Sequence, residues 1–167
     1  MPPADDLADC IAEFLDAHHV MSLATCGPHG PHAANVFYAR DGFSLLWVSD
    51  PQSTHSTNIG INPQVGATIA PDYRDFAEIR GVQIFGHAYR VGDAAVRYSA
   101  RTLLVRRYPI LQHPSDPMIE QAYSSADLYQ LVPNRIVLID NRRGFGHKET
   151  LDLQPSSGCA PKVGLWT

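Results

Sequence analysis

Residues 33–49, AANVFYARDGFSLLWVS, decide the fold of this chain. They contain two β-prone runs, 33–40 and 43–49, on either side of Asp41-Gly42. Because Asp-Gly readily forms the tight turns that join neighbouring antiparallel strands, this pattern predicts a β-hairpin. A third β-prone run, 20–26, comes just before and is separated from the hairpin by turn-forming glycines and prolines. The first half of the chain is therefore predicted to be an antiparallel meander.

Helices are expected around this meander rather than between its strands. Residues 5–17 carry apolar side chains at helical spacing, and Asp93 is placed to cap a helix over 94–107. A short helical piece is also expected near 118–123. Three further strands are predicted, at 65–70, at 77–91 and within 128–141 with 135–140 as its core, and Gly81 and Gly86 inside the second of these indicate bulges or close backbone approaches. The sequence thus predicts a mainly β domain with peripheral helices, a six-stranded antiparallel split β-barrel over 1–154, followed by a weakly ordered tail at 155–167.

Composition limits the classes of function. The chain has 167 residues, a net charge of −4 and only 18% charged residues, which argues against non-specific nucleic-acid binding. So low a fraction of charged residues is typical of chains with a large buried interface, and we therefore expect a homodimer. The three cysteines are scattered, no apolar run is long enough to cross a membrane, and the N-terminus has no signal-peptide pattern. We therefore expect a cytoplasmic protein without membrane contact.

The polar stretch 49–58 after the third strand is the first candidate for a binding site. Pro51 suits a first helical turn, and backbone N–H groups at a helix N-terminus, with hydroxyls beside them, form a site for a phosphate. The residues that would surround it are Ser49, Ser53, Thr54, His55 and Asn58. The alternative is an ordinary helix cap with solvated hydroxyls, which the local sequence by itself favours.

The order of these segments resembles the pyridoxamine 5′-phosphate oxidase-like, FMN-binding split-barrel family. The resemblance rests on GPHGPHAANVFYA (27–39), LLWVSDPQSTHSTNIGINPQVGATIA (45–70) and IRGVQIFGHA (79–88), and it covers about 8–150. The ending DNRRGFGHK (140–148) is similar to a bacterial branch of that family without an assigned activity, not to the vitamin B6 oxidase itself. The resemblance implies a homodimer with FMN in clefts between two barrels.

The same resemblance implies a set of cofactor contacts. Strand two would line the flavin ring with backbone and side chains, the third strand and the turn would hold the phosphate end, and the C-terminal segment would approach from the other subunit. These residues are Asn35, Val36, Phe37 and Tyr38; Val48, Ser49, Ser53, Thr54, His55 and Asn58; Gln83; and Arg142, Phe145, His147 and Lys148.

The chain departs from the family pattern where the oxidase carries basic residues. Ala34 and Ala39 stand at two such positions, and Thr54-His55 replaces an Arg-Lys pair. A hydroxyl contact to phosphate is about half as strong as a charge-assisted one. This pattern excludes vitamin B6 oxidation as the specific activity and lowers the affinity that we expect for FMN.

Two functions follow as hypotheses. The first is an FMN-dependent oxidoreductase of unknown substrate, with no catalytic residue assigned, since the flavin itself carries the redox chemistry. The alternative is a non-catalytic protein that binds or stores a flavin, haem or a deazaflavin. His29 and His32 span a turn without converging partners in the sequence, so no metal site is predicted.

Overall fold

The computed structural model describes residues 4–153. The predicted tail at 155–167 lies outside the described residues. The helices are α1 (Ala4–Ala17), α2 (Thr54–Ile61), α3 (Ala94–Arg107) and α4 (Pro117–Ser125). The strands are β1 (Val20–Gly27), β2 (Gly30–Phe37), β3 (Ala39–Asp41), β4 (Ser44–Ser49), β5 (Gln64–Ile69), β6 (Arg80–Arg90), β7 (Asp127–Asp140) and β8 (Lys148–Asp152). Single 3₁₀ turns occur at Phe76–Glu78, Pro109–Leu111 and Asn141–Arg143.

The strands form one antiparallel sheet in the order β2-β1-β5-β6-β7-β4-β3, and β8 also pairs with β7. The predicted class, a mainly β split barrel with peripheral helices, is confirmed. Residues 4–153 contain eight strands, however, where six were predicted, and the predicted meander is wrong, because 30–37 pairs with β1 at one end of the sheet whereas 39–41 pairs with β4 at the other. The run 33–40 is divided because the strand ends at Phe37 and resumes at Ala39, with the Tyr38 side chain between them fully buried. The sequence KETLD of β8 is largely polar and offers little apolar alternation to recognise.

Tyr38 joins three elements at this break. Its hydroxyl donates to the Leu15 carbonyl at the end of α1, at 2.8 Å. The Tyr108 hydroxyl, just after α3, donates in turn to the Tyr38 carbonyl at 2.6 Å. Arg107 lies over the Tyr38 ring and donates to the carbonyls of α1's last turn, which stabilises that helix end.

The amphipathic helix predicted at 5–17 is confirmed as α1. Its buried residues, Leu7, Ile11, Phe14 and Leu15, belong to the main core together with the inward side chains of the barrel strands. The predicted Asp41-Gly42 hairpin also forms, since β3 pairs with β4 and Gly42 has φ of 58°. Asp93 caps α3 as expected, accepting from the N–H groups of Ala95 and Val96.

Gly81 and Gly86, the two glycines inside β6, each lie close to a backbone carbonyl of a neighbouring strand. The β6–β7 register shifts at Phe85/Gly86, where a Cβ on Gly86 would lie 2.2 Å from the Val132 carbonyl oxygen. A Cβ on Gly81 would lie 3.1 Å from the Ile69 carbonyl oxygen. The bulge lets this strand curve, which an antiparallel sheet needs to become a barrel. The strand begins at Arg80 rather than at residue 77, because Asp75 caps a 3₁₀ turn over Phe76–Glu78.

Candidate functional site

The turn after β4 is built as a helix cap. Ser53 has extended backbone dihedrals, and its Oγ accepts from the Ser56 N–H at 3.4 Å. The helix begins at Thr54, so the expectation that Pro51 stands in its first turn is wrong; Pro51 lies in the turn before the cap. The first N–H groups of a helix have no partner within it. In α2 the N–H groups of Ser56 and Thr57 donate back to Ser53, which leaves those of Thr54 and His55 without a partner among residues 4–153.

His55 lies in the middle of this turn, half-buried, with hydroxyls around its ring. Its Nε2 is 2.6 Å from Ser49 Oγ and 3.2 Å from Ser53 Oγ. The pKa of His55 is lowered from its ordinary value, chiefly because burial disfavours the charged ring and secondly because His32 lies nearby. Ser49, Ser53 and His55 are hereafter called the serine–histidine cluster.

His32, on β2, is a residue that the sequence analysis did not place in the site. Its ring lies parallel to that of His55, at 11°, with the centroids 6.3 Å apart. His32 and Ala34 share one side of β2, because alternate residues of a strand point the same way. Period-two spacing from the missing basic position at Ala34 is the signal that could have identified it.

Asn58 anchors α2 to the sheet and is not part of the serine–histidine cluster. It is buried, and its Nδ2 donates to Thr25 Oγ1 at 3.1 Å. Thr25, also buried, is the cross-strand partner of His32. Gly27 leaves the space for this amide, since a Cβ there would lie 1.9 Å from Asn58 Oδ1. Thr54 is exposed at the start of the helix.

Asn35 and Gln83 belong to one row of polar residues on the outward face of the sheet. The register pairs Asn35 with Ser22, Ser22 with Thr68, and Thr68 with Gln83. Ser22 Oγ donates to Asn35 Oδ1 at 2.7 Å. The sequence analysis missed Ser22 and Thr68, which only the register of three strand pairs brings beside the other two.

The remaining predicted strand residues divide between core and surface. Val36 and Tyr38 are buried in the main core, so the expectation of ring contacts is restricted to their backbone atoms. Phe37 points outward with 64% of its surface exposed, and its ring meets the edge of Tyr108. Val48 is partly buried against the smaller core under α3.

The C-terminal residues lie around a tight turn after β7. Gly144 and Gly146 have φ of 135° and 75°, and Phe145 between them is 86% exposed. His147 and the exposed Lys148 follow at the start of β8.

Arg142 is engaged by an acidic partner. Its Nε and Nη2 donate to the buried Asp140 carboxylate at 2.9 and 2.7 Å. These hydrogen bonds lower the pKa of Asp140, and Arg80 contributes from a distance of 3.2 Å. Arg142 therefore acts first as the partner of a buried carboxylate.

A single chain does not bring the two halves of the predicted site together. Ser49 of the cluster, at the end of β4, pairs with Asp127 at the start of β7, whereas Lys148 on β8 pairs with Ile139 near the other end of the same strand. A strand rises about 3.3 Å per residue, so these two positions are roughly 40 Å apart along β7.

The donors of the cluster fit a phosphate group. Hydroxyls and an imidazole converge there, next to the two N–H groups of α2 that have no partner in the described residues, and such donors bind phosphate at helix N-termini. Thr54-His55 supplies no permanent cation. Within residues 4–153 no three metal-ligating side chains converge. In the same part of the chain, no helix is long and apolar enough to cross a membrane.

Known proteins with similar folds include haem binders. The haem-binding protein of Mycobacterium smegmatis superposes with a TM-score of 0.70 at 22% identity, over 91% of this chain and 59% of that one. The chain thus spans less than two thirds of that protein. The haem storage protein HutZ of Vibrio cholerae gives 0.62 at 17% identity, over 75% and 88% of the two chains. At such identities the likeness shows the fold alone.

Sequence comparison identifies the family, which similarity of fold alone does not. A UPF0306 protein of Photorhabdus laumondii is 30% identical over 140 residues, covering 83% of this chain and 90% of that one. A UPF0306 protein of Yersinia pestis is 33% identical over 141 residues, covering 83% and 88%. Residues 7–136 match the family described as pyridoxamine 5′-phosphate oxidase. The chain therefore belongs to the pyridoxamine 5′-phosphate oxidase family, in a branch that it shares with the UPF0306 proteins.

Proposed function

We propose that this chain is an FMN-dependent oxidoreductase that works as a homodimer in the cytoplasm. One observation carries the proposal: within residues 4–153, β2 has an edge without a strand partner, and the start of this strand lies beside a cluster of donors that suit a phosphate. Ser49, Ser53 and His55 would hold the phosphate, and β2 would run along the flavin ring. Membership of the pyridoxamine 5′-phosphate oxidase family supports FMN as the ligand.

The edge of β2 suits the polar side of a flavin ring. In the described part of the chain β2 pairs with β1 alone, so its other edge presents N–H and C=O groups without strand partners there. The pyrimidine part of a flavin carries both donors and acceptors and can pair with such an edge, as an added strand would. Because these contacts use the backbone, they do not require the side chains of Val36 and Tyr38 to leave the core.

A second copy would complete the cleft. Within one chain, the exposed Phe145 and the neighbouring His147 and Lys148 lie near the end of β7, whereas Ser49 of the cluster lies beside its start. The two grooves that stand out among residues 4–153 flank α3, one of them lined by Tyr98, Arg101 and Tyr123, so neither encloses the cluster. These features support a homodimer in which each subunit's C-terminal turn covers the other's flavin.

The chain's own residues would bind and orient rather than exchange protons. A bound flavin supplies hydride or electron transfer. Ser49 can donate a hydrogen bond to a phosphate oxygen, Ser53 could do so on giving up its hydrogen bond to Ser56 Oγ (2.8 Å), and Phe145 would exclude water from one side of the ring. No acid or base in the described residues is assigned a catalytic role.

Titration of the purified protein with FMN, followed by flavin fluorescence and by sedimentation, tests the proposal. We expect saturable quenching, a dimer, and reduction of the bound flavin by NADH or NADPH. His55→Ala should weaken FMN binding roughly tenfold. Thr57→Ala is the matched control, because the Thr57 hydroxyl donates back to carbonyls of Ser53 and Thr54. A protein that neither quenches FMN fluorescence nor co-purifies with a flavin would contradict the proposal.

Non-catalytic storage, of haem in particular, is the second candidate. It is favoured by the lack of a permanent cation at Thr54-His55 and by structural similarity to two proteins described as binding or storing haem. A Soret band that appears on haem addition and saturates at one equivalent per chain would support it. Binding of FMN or a deazaflavin without reduction by any donor would support flavin storage instead.

A further inference from the structure

We infer that His32 is the second phosphate-binding residue of the site, and that His32 and His55 grip the phosphate as a pair. The inference rests on the proposed function and extends it to a residue that stands outside the turn. The two rings are parallel and 6.3 Å apart, near enough for a single phosphate group to contact both.

The position of His32 explains how the site can work without a basic residue at 34. His32 is two residues before Ala34 on the same side of β2, and it faces α2 opposite His55. A side chain of imidazole length at 32 therefore projects from the strand face on which residue 34 carries only a methyl group. Thr25 lies across from His32, and its bond with Asn58 holds α2 at a fixed distance from this face.

Charge makes this pair sensitive to the ligand. Two protonated rings at this distance repel each other, and burial further disfavours a charged His55. A phosphate between them reverses both effects, because an anion stabilises both protonated rings. Phosphate binding is therefore coupled to proton uptake, which an Arg-Lys pair, always charged, would not show.

The other titratable groups on the elements around His55 are occupied or directed elsewhere. Asp50 accepts from the Gln52 N–H in the preceding turn, and Cys26 is exposed at the end of β1. The groups on β6 are paired with one another or with carboxylates of β7: His87 stacks on Tyr89, Arg80 meets Asp140 and Arg90 meets Asp127. His32, by contrast, faces His55 directly, with the two ring planes 11° apart.

The first experiment uses inorganic phosphate as the probe and follows the imidazole Hε1 signals by NMR at pH 6. The signals of His32 and His55 should shift together and saturate with one dissociation constant, and that of His55 should titrate at higher pH with phosphate present. Those of His29, exposed in the β1–β2 turn, should not change. If neither the His32 nor the His55 signal responds, the inference is overturned, whether or not the protein binds FMN.

The second experiment compares FMN with riboflavin, which lacks the phosphate. His32→Gln should weaken FMN binding roughly tenfold at pH 6 and less than about twofold at pH 8.5, and should leave riboflavin binding unchanged. His29→Gln is the control and should change neither. An equal loss for FMN and riboflavin would mean that His32 is structural and would overturn the inference while leaving the flavin site in place. Failure of the wild-type protein to bind either flavin would refute the proposed function instead, and the phosphate titration would then decide the inference.

Discussion

Replacing Gly27 by alanine should destabilise the domain by displacing a buried amide. The new Cβ would lie 1.9 Å from Asn58 Oδ1 and 2.6 Å from Asn58 Cγ, distances at which the Asn58 side chain must move. Its hydrogen bond to Thr25 is then lost. Both residues are buried, so the separated groups have little access to water.

The expected size follows from two opposed effects. Leaving buried polar groups without partners costs about 1–3 kcal/mol. The alanine restricts the unfolded chain and returns about 0.4–1 kcal/mol. The free energy of unfolding should therefore fall by about 1–2 kcal/mol, which lowers the Tm of a domain this size by roughly 2–8 °C.

Thermal and urea unfolding followed by circular dichroism measure the change, and a double-mutant cycle tests its cause. Once Asn58→Ala has removed the amide, adding Gly27→Ala should cost nothing more. Gly60→Ala, inside α2 with open space around the new Cβ, is the matched control and should stabilise the protein slightly. If Gly27→Ala destabilises the Asn58→Ala protein as much as it does the wild type, the displaced amide is not the cause.

Three further predictions concern the core and the ionisable groups. Tyr38→Phe removes the donor to the Leu15 carbonyl, and the free energy of unfolding should fall by about 1 kcal/mol, measured by urea titration; no change would show that the bond contributes nothing. Asp140 has a lowered pKa, so its stabilisation is present above the unfolded-state value near 3.8 and is lost as the pH falls through the lower folded-state value. Asp140→Asn should thus be less stable than wild type from pH 5 to 8, with a smaller difference in strong acid; a difference that does not shrink there would exclude the charge as its source. His55 also has a lowered pKa, so the folded protein resists its protonation, and wild type should lose stability relative to His55→Gln as the pH falls below about 6.5. Parallel stability curves for these two proteins between pH 5 and 8 would argue against a buried, neutral ring.

Local chemistry made much of this fold predictable. The turn at Asp41-Gly42, the cap at Asp93 and the close approach at Gly86 each follow from the conformational needs of one or two residues, and each is present. The sequence predicted a helix cap in this turn, but it did not predict that the helix begins at Thr54. These features depend on interactions within a few residues, so the sequence alone contains them.

The sequence by itself determined the local antiparallel pairs β1–β2 and β3–β4, the amphipathic first helix and the polar turn at 49–58, but not the strand order, which puts β2 and β4 towards opposite ends of the sheet. Only the tertiary structure decided which side chains meet: His32 with His55, Asn58 with Thr25, and Tyr38 with the end of α1. The physical reason is strand register. A strand offers each side chain one of two faces, and a single-residue shift would exchange them, so the pairing of distant strands chooses between core and site.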